Sequence, residues 1–310
     1  MLVLASKIWG VSTLDTPDLT YYTDSPERYR KNGGDGMRGA LILLLTGALL
    51  LPAATLAAGP VPTGSPREQA LRELAGERHL YTLDFLVFKD LAAGHLQLTA
   101  DQTPGRYQAE LIARTLGVAS WLAGDRTQSY RSVMDVDSAG RLRTVSYESS
   151  IRKRKWGKWD DRQKRYRFDY RAGKVYQEKG ENGQFKPGLV FELPVAQTPV
   201  DILTGFYNLR SGVYGALNPG AHLKIPTFTT AGISEIEVEV LAGPERQARP
   251  FFPATGTLLR VKVDPEVFNT AGADLYVWFD EAGRPARGIV ENVIGLGDVY
   301  GRLREESKQP

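Results

Sequence analysis

Residues Ile233-Ser234-Glu235-Ile236-Glu237-Val238-Glu239-Val240-Leu241 alternate acid with aliphatic over most of their length. A period of two sends successive side chains to opposite faces of an extended chain. Glu235, Glu237 and Glu239 then line a solvated face, and Ile236, Val238 and Val240 line a core. The same period dominates from Leu80 onward, broken by turn chemistry at Asp137-Ser138-Ala139-Gly140, Arg171-Ala172-Gly173, Asn182-Gly183 and Asp280-Glu281-Ala282-Gly283. This predicts a mainly β protein of antiparallel strands with one face on a core.

The expected strands are Leu80–Phe88, Gly94–Ala100, Tyr107–Arg114, Gln128–Asp135, Leu142–Ile151, Tyr166–Tyr170, Leu189–Leu193, His222–Thr227, Ile233–Leu241, Thr257–Val263, Asp274–Phe279 and Ala286–Leu303. One helix precedes them and another interrupts them. Thr63 to Gly76 carries Ser65 at the N-cap, Pro66 at N1, Glu68 as a capping-box partner and Gly76 as the stop. Thr198 to Leu209 has Thr198 as cap, Pro199 at the opening, Asp201 at N3, and Ile202, Leu203, Phe206 and Leu209 at helical spacing. That helix is expected to plug the concave side of the sheet. Gly117–Leu122 reads as a helical turn, and Leu241–Gly256, with three prolines, as a loop. Without an internal repeat or linker, residues 78–304 read as a single β-rich domain, preceded by a short helical arm over 59–77 and followed by a tail over 305–310.

The start of the chain speaks of export. After Met37, Arg38 supplies a basic n-region, Ala40–Leu51 an apolar run, and Pro52 leads into Ala53, Ala54, Ala57 and Ala58. Residues 37–58 therefore read as a cleavable signal peptide. The run falls short of the roughly 20 apolar residues a spanning helix needs, so no transmembrane anchor is expected in the mature form. Residues 1–36 read as an upstream extension wrongly assigned to the chain, with the true start at Met37. The expected location is the periplasm. No cysteine occurs in the sequence, which removes a lipoprotein anchor, disulfides and thiolate chemistry together.

Several stretches resemble the bacterial family called domain of unknown function 3108. They are Leu80-Tyr81-Thr82-Leu83-Asp84-Phe85 with Ala93-Gly94-His95, Asp201-Ile202-Leu203 with Tyr207-Asn208-Leu209-Arg210, and Tyr276-Val277-Trp278-Phe279-Asp280 with Pro285 and the closing Ile294-Gly295 strand. The resemblance implies an exported protein whose antiparallel sheet curves into an open half-barrel, with one or two short helices against the concave side, similar to lipoprotein-carrier folds. It implies no catalytic residues.

The chemistry-bearing residues point the same way. Acyl transfer needs a nucleophile beside a base, and the three histidines, His79, His95 and His222, are scattered and without metal-ligand spacing. Asp135 and Asp137 lack the later ligands of a calcium loop, and Gly295, Gly297 and Gly301 have the wrong spacing for a dinucleotide fingerprint. Asp160-Asp161 and Glu235, Glu237 and Glu239 are candidate carboxylate pairs that read better as solvated side chains. No catalytic residue, metal or cofactor is expected.

One stretch stands out. Between Arg152 and Lys174, eleven basic residues face Asp160, Asp161 and Asp169, an excess of eight positive charges in a chain whose net charge is +3. Its tip, Arg152, Lys153, Arg154, Lys155, Trp156, Lys158 and Trp159, is the candidate contact for an anionic surface, with tryptophan at an apolar boundary. Candidate partners are an anionic lipid, an envelope polymer or an envelope protein, and export argues against nucleic acid. The expected function is a non-enzymatic carrier or binder of an apolar or lipid-like molecule. The alternative is a periplasmic scaffold whose filled barrel docks a protein partner.

Overall fold

The computed structural model describes residues 66–85, 88–117, 120, 125–155, 157–194, 198–229, 232–262, 274–292 and 297–304. The expected extension, the signal peptide, Ser65, the tail over 305–310 and most of Gly117–Leu122 lie outside these residues. Among them the strands are β1 (Arg78–Phe85), β2 (Phe88–Ala100), β3 (Arg106–Thr115), β4 (Arg126–Val136), β5 (Leu142–Lys155), β6 (Lys158–Asp169), β7 (Lys174–Glu181), β8 (Gln184–Glu192), β9 (His222–Thr229), β10 (Gly232–Val240), β11 (Thr257–Lys262), β12 (Leu275–Phe279), β13 (Pro285–Val290) and β14 (Val299–Leu303). The helices are α1 (Pro66–Leu74), α2 (Ile202–Arg210) and α3 (Gly243–Gln247).

All fourteen strands form one antiparallel sheet in the order β8-β7-β6-β5-β4-β3-β2-β1-β14-β13-β12-β11-β10-β9. Two meanders are thus joined where β1 lies beside β14. The sheet is not closed by strand pairing. Its terminal strands meet instead through rings: Phe191 of β8 stands edge-on to Phe228 of β9 with centroids 5.0 Å apart, and Tyr166 and Phe168 of β6 complete the cluster. The outer edge of β9 is covered by Val200, which bridges to Thr227 and exchanges backbone hydrogen bonds with Pro226 and Phe228.

Helix α2 lies on the inner face against β3, β4, β5 and β9. On one side of it Leu203 and Tyr207 pack with Leu71 of α1 and Leu96, Leu98, Met134 and Leu142. On the other, Val200 and Leu209 pack with Ile225, Ile236, Val238, Leu259 and Phe279. The expected plug on the concave side is present.

Several boundaries differ from expectation. Phe85 pairs with Phe88, so the strand expected over Leu80–Phe88 is the end of β1 and the start of β2; its apolar run carries no turn residue. Strand β7 is absent from the expected set, because one of its inward positions holds Gln177, whose amide donates to Tyr166 Oη at 2.9 Å, in place of an apolar side chain. The single strand expected over Ala286–Leu303 is divided into β13 and β14. The stretch expected to be a loop, Leu241–Gly256, contains α3, with Pro244 in the first turn where its missing N–H costs nothing. It covers the outer face of β11–β13 through Phe252, which packs with Leu258, Tyr276 and Trp278.

Helix α2 starts three residues later than Thr198 suggests, because Asp201, expected at N3, is its N-cap and accepts from the backbone N–H groups of Leu203 and Thr204. Both ends of the helix are tied down. Asn208, fully inside, accepts from Leu142 N at 2.9 Å and donates to Leu142 O at 2.8 Å, which gives that residue a substitute strand neighbour. Arg210 donates to both oxygens of Glu77, at 2.6 and 3.3 Å, and to Gly283 O at 3.1 Å.

Burial works against the Glu77 charge, but hydrogen bonds from His79 and Arg210 outweigh it and hold its pKa at about 2, below the ordinary 4.5. A carboxylate depressed on folding contributes stability that is complete above its unfolded pKa and is lost as pH falls through the folded one. Between pH 4.5 and 2 the parent protein therefore loses stability that Glu77→Gln does not have to lose. Melting temperature against pH checks this, and an unchanged acid slope in the variant would refute it.

Candidate functional site

Two regions stand out on this frame. The first is a crevice between α2 and the inner face of β9–β12, with a volume of about 70 Å³ and open on one side. Ile202, Phe206 and Leu209 form its helix wall, and Ile236, Val238, Leu259 and Val277 are among its strand wall; every lining residue is apolar or glycine. Gly205 in mid-helix is part of the reason the space exists. A Cβ there would lie 3.4 Å from Ile225 Cγ2, so any larger side chain would project into the gap between helix and sheet.

The second is the basic hairpin of β5 and β6. A bulge opposite Val133 and Met134 places Thr144 and Tyr147 on the same inner face, and the alternation of the rest of β5 follows from it. Arg152 and Arg154 consequently lie on the outer face with Trp159. The Arg152 guanidinium sits 4.5 Å from the Trp159 ring and that of Arg154 5.9 Å, and the ring is 46% exposed. Lys153 turns to the inner face and pairs with Asp160 at 3.6 Å. Lys158 is exposed and stands across from Lys155. Trp156 and the Lys155 side chain lie outside the described residues. The structure thus gathers Arg152, Arg154 and Trp159 into one cluster, and separates Lys153 from it.

The two faces of this half of the sheet differ in charge order. On the outer face Glu110, Arg131, Glu148, Arg165 and Glu178 form one cross-strand row of alternating sign. Its ion pairs span 2.9 Å for Arg131–Glu110, 2.9 Å for Arg165–Glu148 and 3.6 Å for Arg165–Glu178. The neighbouring row on the inner face runs Tyr130, Ser149, Lys164, Lys179, Lys186.

The remaining candidates are dispersed. Asp160 and Asp161 point to opposite faces of β6, Asp161 accepting from Ser150 Oγ at 2.9 Å. Glu235, Glu237 and Glu239 lie on the outer face of β10, paired with Lys224, Lys262 and Arg260. His79, His95 and His222 each stand beside a different carboxylate: Glu77, Glu110 and Glu239. Asp137 and Asp280 each fold a hairpin turn, accepting from the backbone N–H groups two and four residues on and from the arginine at the fourth. Among the described residues no three metal-ligating side chains cluster, and no helix is long and apolar enough to cross a membrane.

Sequence reasoning does not single out the crevice. Its strand wall is legible as alternation in β10 and β11, but its depth depends on Gly205, which reads locally as a weak point of the helix. The inner lysine row escapes it because Lys179 belongs to the unexpected β7.

A family model described as "Protein of unknown function (DUF3108)" matches residues 80–302. No curated protein matches the chain. Among solved structures, the crystal structure of a β-barrel-like protein of domain of unknown function DUF1849 from Brucella abortus is similar at 10% identity, with a TM-score of 0.42, over 75% of this chain and 97% of that one.

Proposed function

Because the chain belongs to this family of unknown function, DUF3108, its role has to be read from its own surfaces, and we propose that it is a non-catalytic envelope protein that binds or carries a molecule with an apolar chain. The observation that carries this reading is the crevice of about 70 Å³ walled by apolar side chains. One water needs roughly 10–15 Å³ of such space and several polar partners, so the crevice has room for about five methylene-sized groups and offers water little. Burying about five methylenes contributes on the order of 4 kcal/mol, which corresponds to roughly millimolar affinity. A hold this weak suits transient carriage, and the basic hairpin is the complement that would engage an anionic head or surface.

A second reading is favoured by a different observation. Asp201 and Asn208 fix α2 so firmly over β3–β5 that this part of the inner face is solid core. A scaffold whose barrel is filled by its own side chains would look the same there, with the hairpin docking a protein partner.

Native mass spectrometry of the protein recovered from a periplasmic fraction separates the two. The carrier reading expects a mass that starts near Ala58 and a bound apolar-chain molecule, which is lost in Val277→Trp while the melting curve is kept. A parent with nothing bound, or a variant that keeps its ligand, would give the scaffold reading the advantage. A mass that includes residues 1–36 would overturn the export step.

A further inference from the structure

We propose that the inner face of β6–β8 is a binding site for a compact anion bearing two or more phosphate groups, held by Lys164, Lys179 and Lys186. These three stand directly opposite one another on successive strands. Strands lie about 4.8 Å apart, so the lysine stems leave the sheet at that interval. Like charges directly opposite on a sheet destabilise it, and the fold shows that repetition is not forced here. In the adjoining row on the other face, the same three strands carry Arg165, Glu178 and Pro187, and that row alternates in sign back to Glu110.

Guarding an open edge explains one lysine. Lys186 lies on β8, a terminal strand of the sheet, where a charge discourages pairing with another chain. Lys164 and Lys179 lie on β6 and β7, inside the sheet, where no edge needs guarding. Among the described residues neither Lys179 nor Lys186 has an ion-pair partner, while Arg162 and Glu181 face each other in the next row. Lys179 and Lys186 thus repeat positive charge without pairing it internally.

Phosphate is the chemistry that fits. Each group brings at least one full negative charge and two or three acceptor oxygens, and lysine meets it as a point charge that can reach from either side. The row begins at Tyr130, on the face where α2 packs, and the sheet curls toward that face to bring Phe191 to Phe228. A planar bilayer cannot follow a concave surface, so the occupant is a discrete molecule or a single headgroup. The site shares no residue with the apolar crevice, so each can fail alone.

The test is titration calorimetry of the mature protein with sodium tripolyphosphate at low salt, beside Lys179→Gln/Lys186→Gln, Lys179→Arg/Lys186→Arg and Arg152→Gln/Arg154→Gln. The parent and the arginine pair should bind, and affinity should fall about tenfold or more in the glutamine pair, since two charge-assisted contacts are lost. Without ligand the glutamine pair should melt at or above the parent temperature, because repulsion has been removed. The Arg152/Arg154 pair should keep tripolyphosphate binding. Vesicles of cardiolipin, whose headgroup carries two phosphates, and phosphatidylcholine separate the sources: loss of tripolyphosphate and vesicle binding together in the glutamine pair supports a lipid headgroup, and loss of tripolyphosphate binding alone supports a free phosphorylated molecule. A parent that does not bind tripolyphosphate, a glutamine pair that binds as the parent does, or a glutamine pair that melts several degrees lower overturns the proposal.

Discussion

Replacing Asp201 by alanine lowers the unfolding free energy by about 4 kcal/mol, within a range of roughly 3–5, measured by urea denaturation. The carboxylate is 1% exposed. One oxygen accepts from Leu203 N at 2.9 Å and Thr204 N at 3.2 Å, and the other from Ser132 Oγ at 2.7 Å, Thr144 Oγ1 at 2.6 Å and Thr204 Oγ1 at 2.5 Å. Alanine removes the helix cap, worth about 1 kcal/mol, and strands several buried donors at about 1–3 kcal/mol each. The three hydroxyls recover part of this by bonding one another, since Ser132 and Thr144 already lie 3.0 and 3.1 Å from Thr204 Oγ1. Asp201→Asn should fall between parent and alanine, because the amide keeps one acceptor and turns a donor toward other donors. A loss in the alanine variant of less than about 1 kcal/mol would mean that α2 is held by its apolar face alone.

Replacing Arg152, Lys153, Arg154 and Lys155 together by glutamine should weaken binding to anionic vesicles by about a thousandfold at low salt, taking on the order of 1 kcal/mol for each basic residue near an anionic surface. On the same arithmetic Arg152→Gln/Arg154→Gln alone should weaken binding about thirtyfold, and these two share an exposed face with Trp159 while Lys153 is turned away to Asp160. The melting temperature should barely move, because solvated charges add little stability. Cation–π contact with a half-exposed ring adds roughly 0.5–1 kcal/mol at such sites, so a small decrease is expected and no more. Rising salt should erase the difference between parent and variant. Equal vesicle binding at low salt, or unfolding of the variant, would make the tip a structural element.

Alternation makes β10 legible in the sequence, because Ile236, Val238 and Val240 take one face and Glu235, Glu237 and Glu239 the other. It fails at β7, where the buried Gln177 donates to Tyr166 Oη, and a polar side chain at an inward position leaves no apolar mark on the sequence. The excess of positive charge between Arg152 and Lys174 can be counted, but its division between faces cannot. A single extra residue near Val145 reverses the sense of everything beyond it in β5, and nothing local announces the bulge. Asp201 is legible as part of a helix start and not as its cap, because its decisive partners, Ser132 and Thr144, come from strands far away in the chain. The crevice is illegible for a related reason: an absent side chain at Gly205 matters only once β9 is known to pass beneath it.

The junction of β1 with β14 has a kinetic side. Within each meander every strand pairs with its sequence neighbour, so those contacts close short loops and form early. Tyr81 meets Leu303, and nearly the whole domain lies between them. That pairing demands the largest loop closure in the sheet and rewards it only at the end. Refolding should therefore pass through two half-sheets, each with one edge waiting, and the slow step should be their joining. During that interval β1 and β14 are the strands most open to pairing with another copy, so yield on refolding should fall as protein concentration rises.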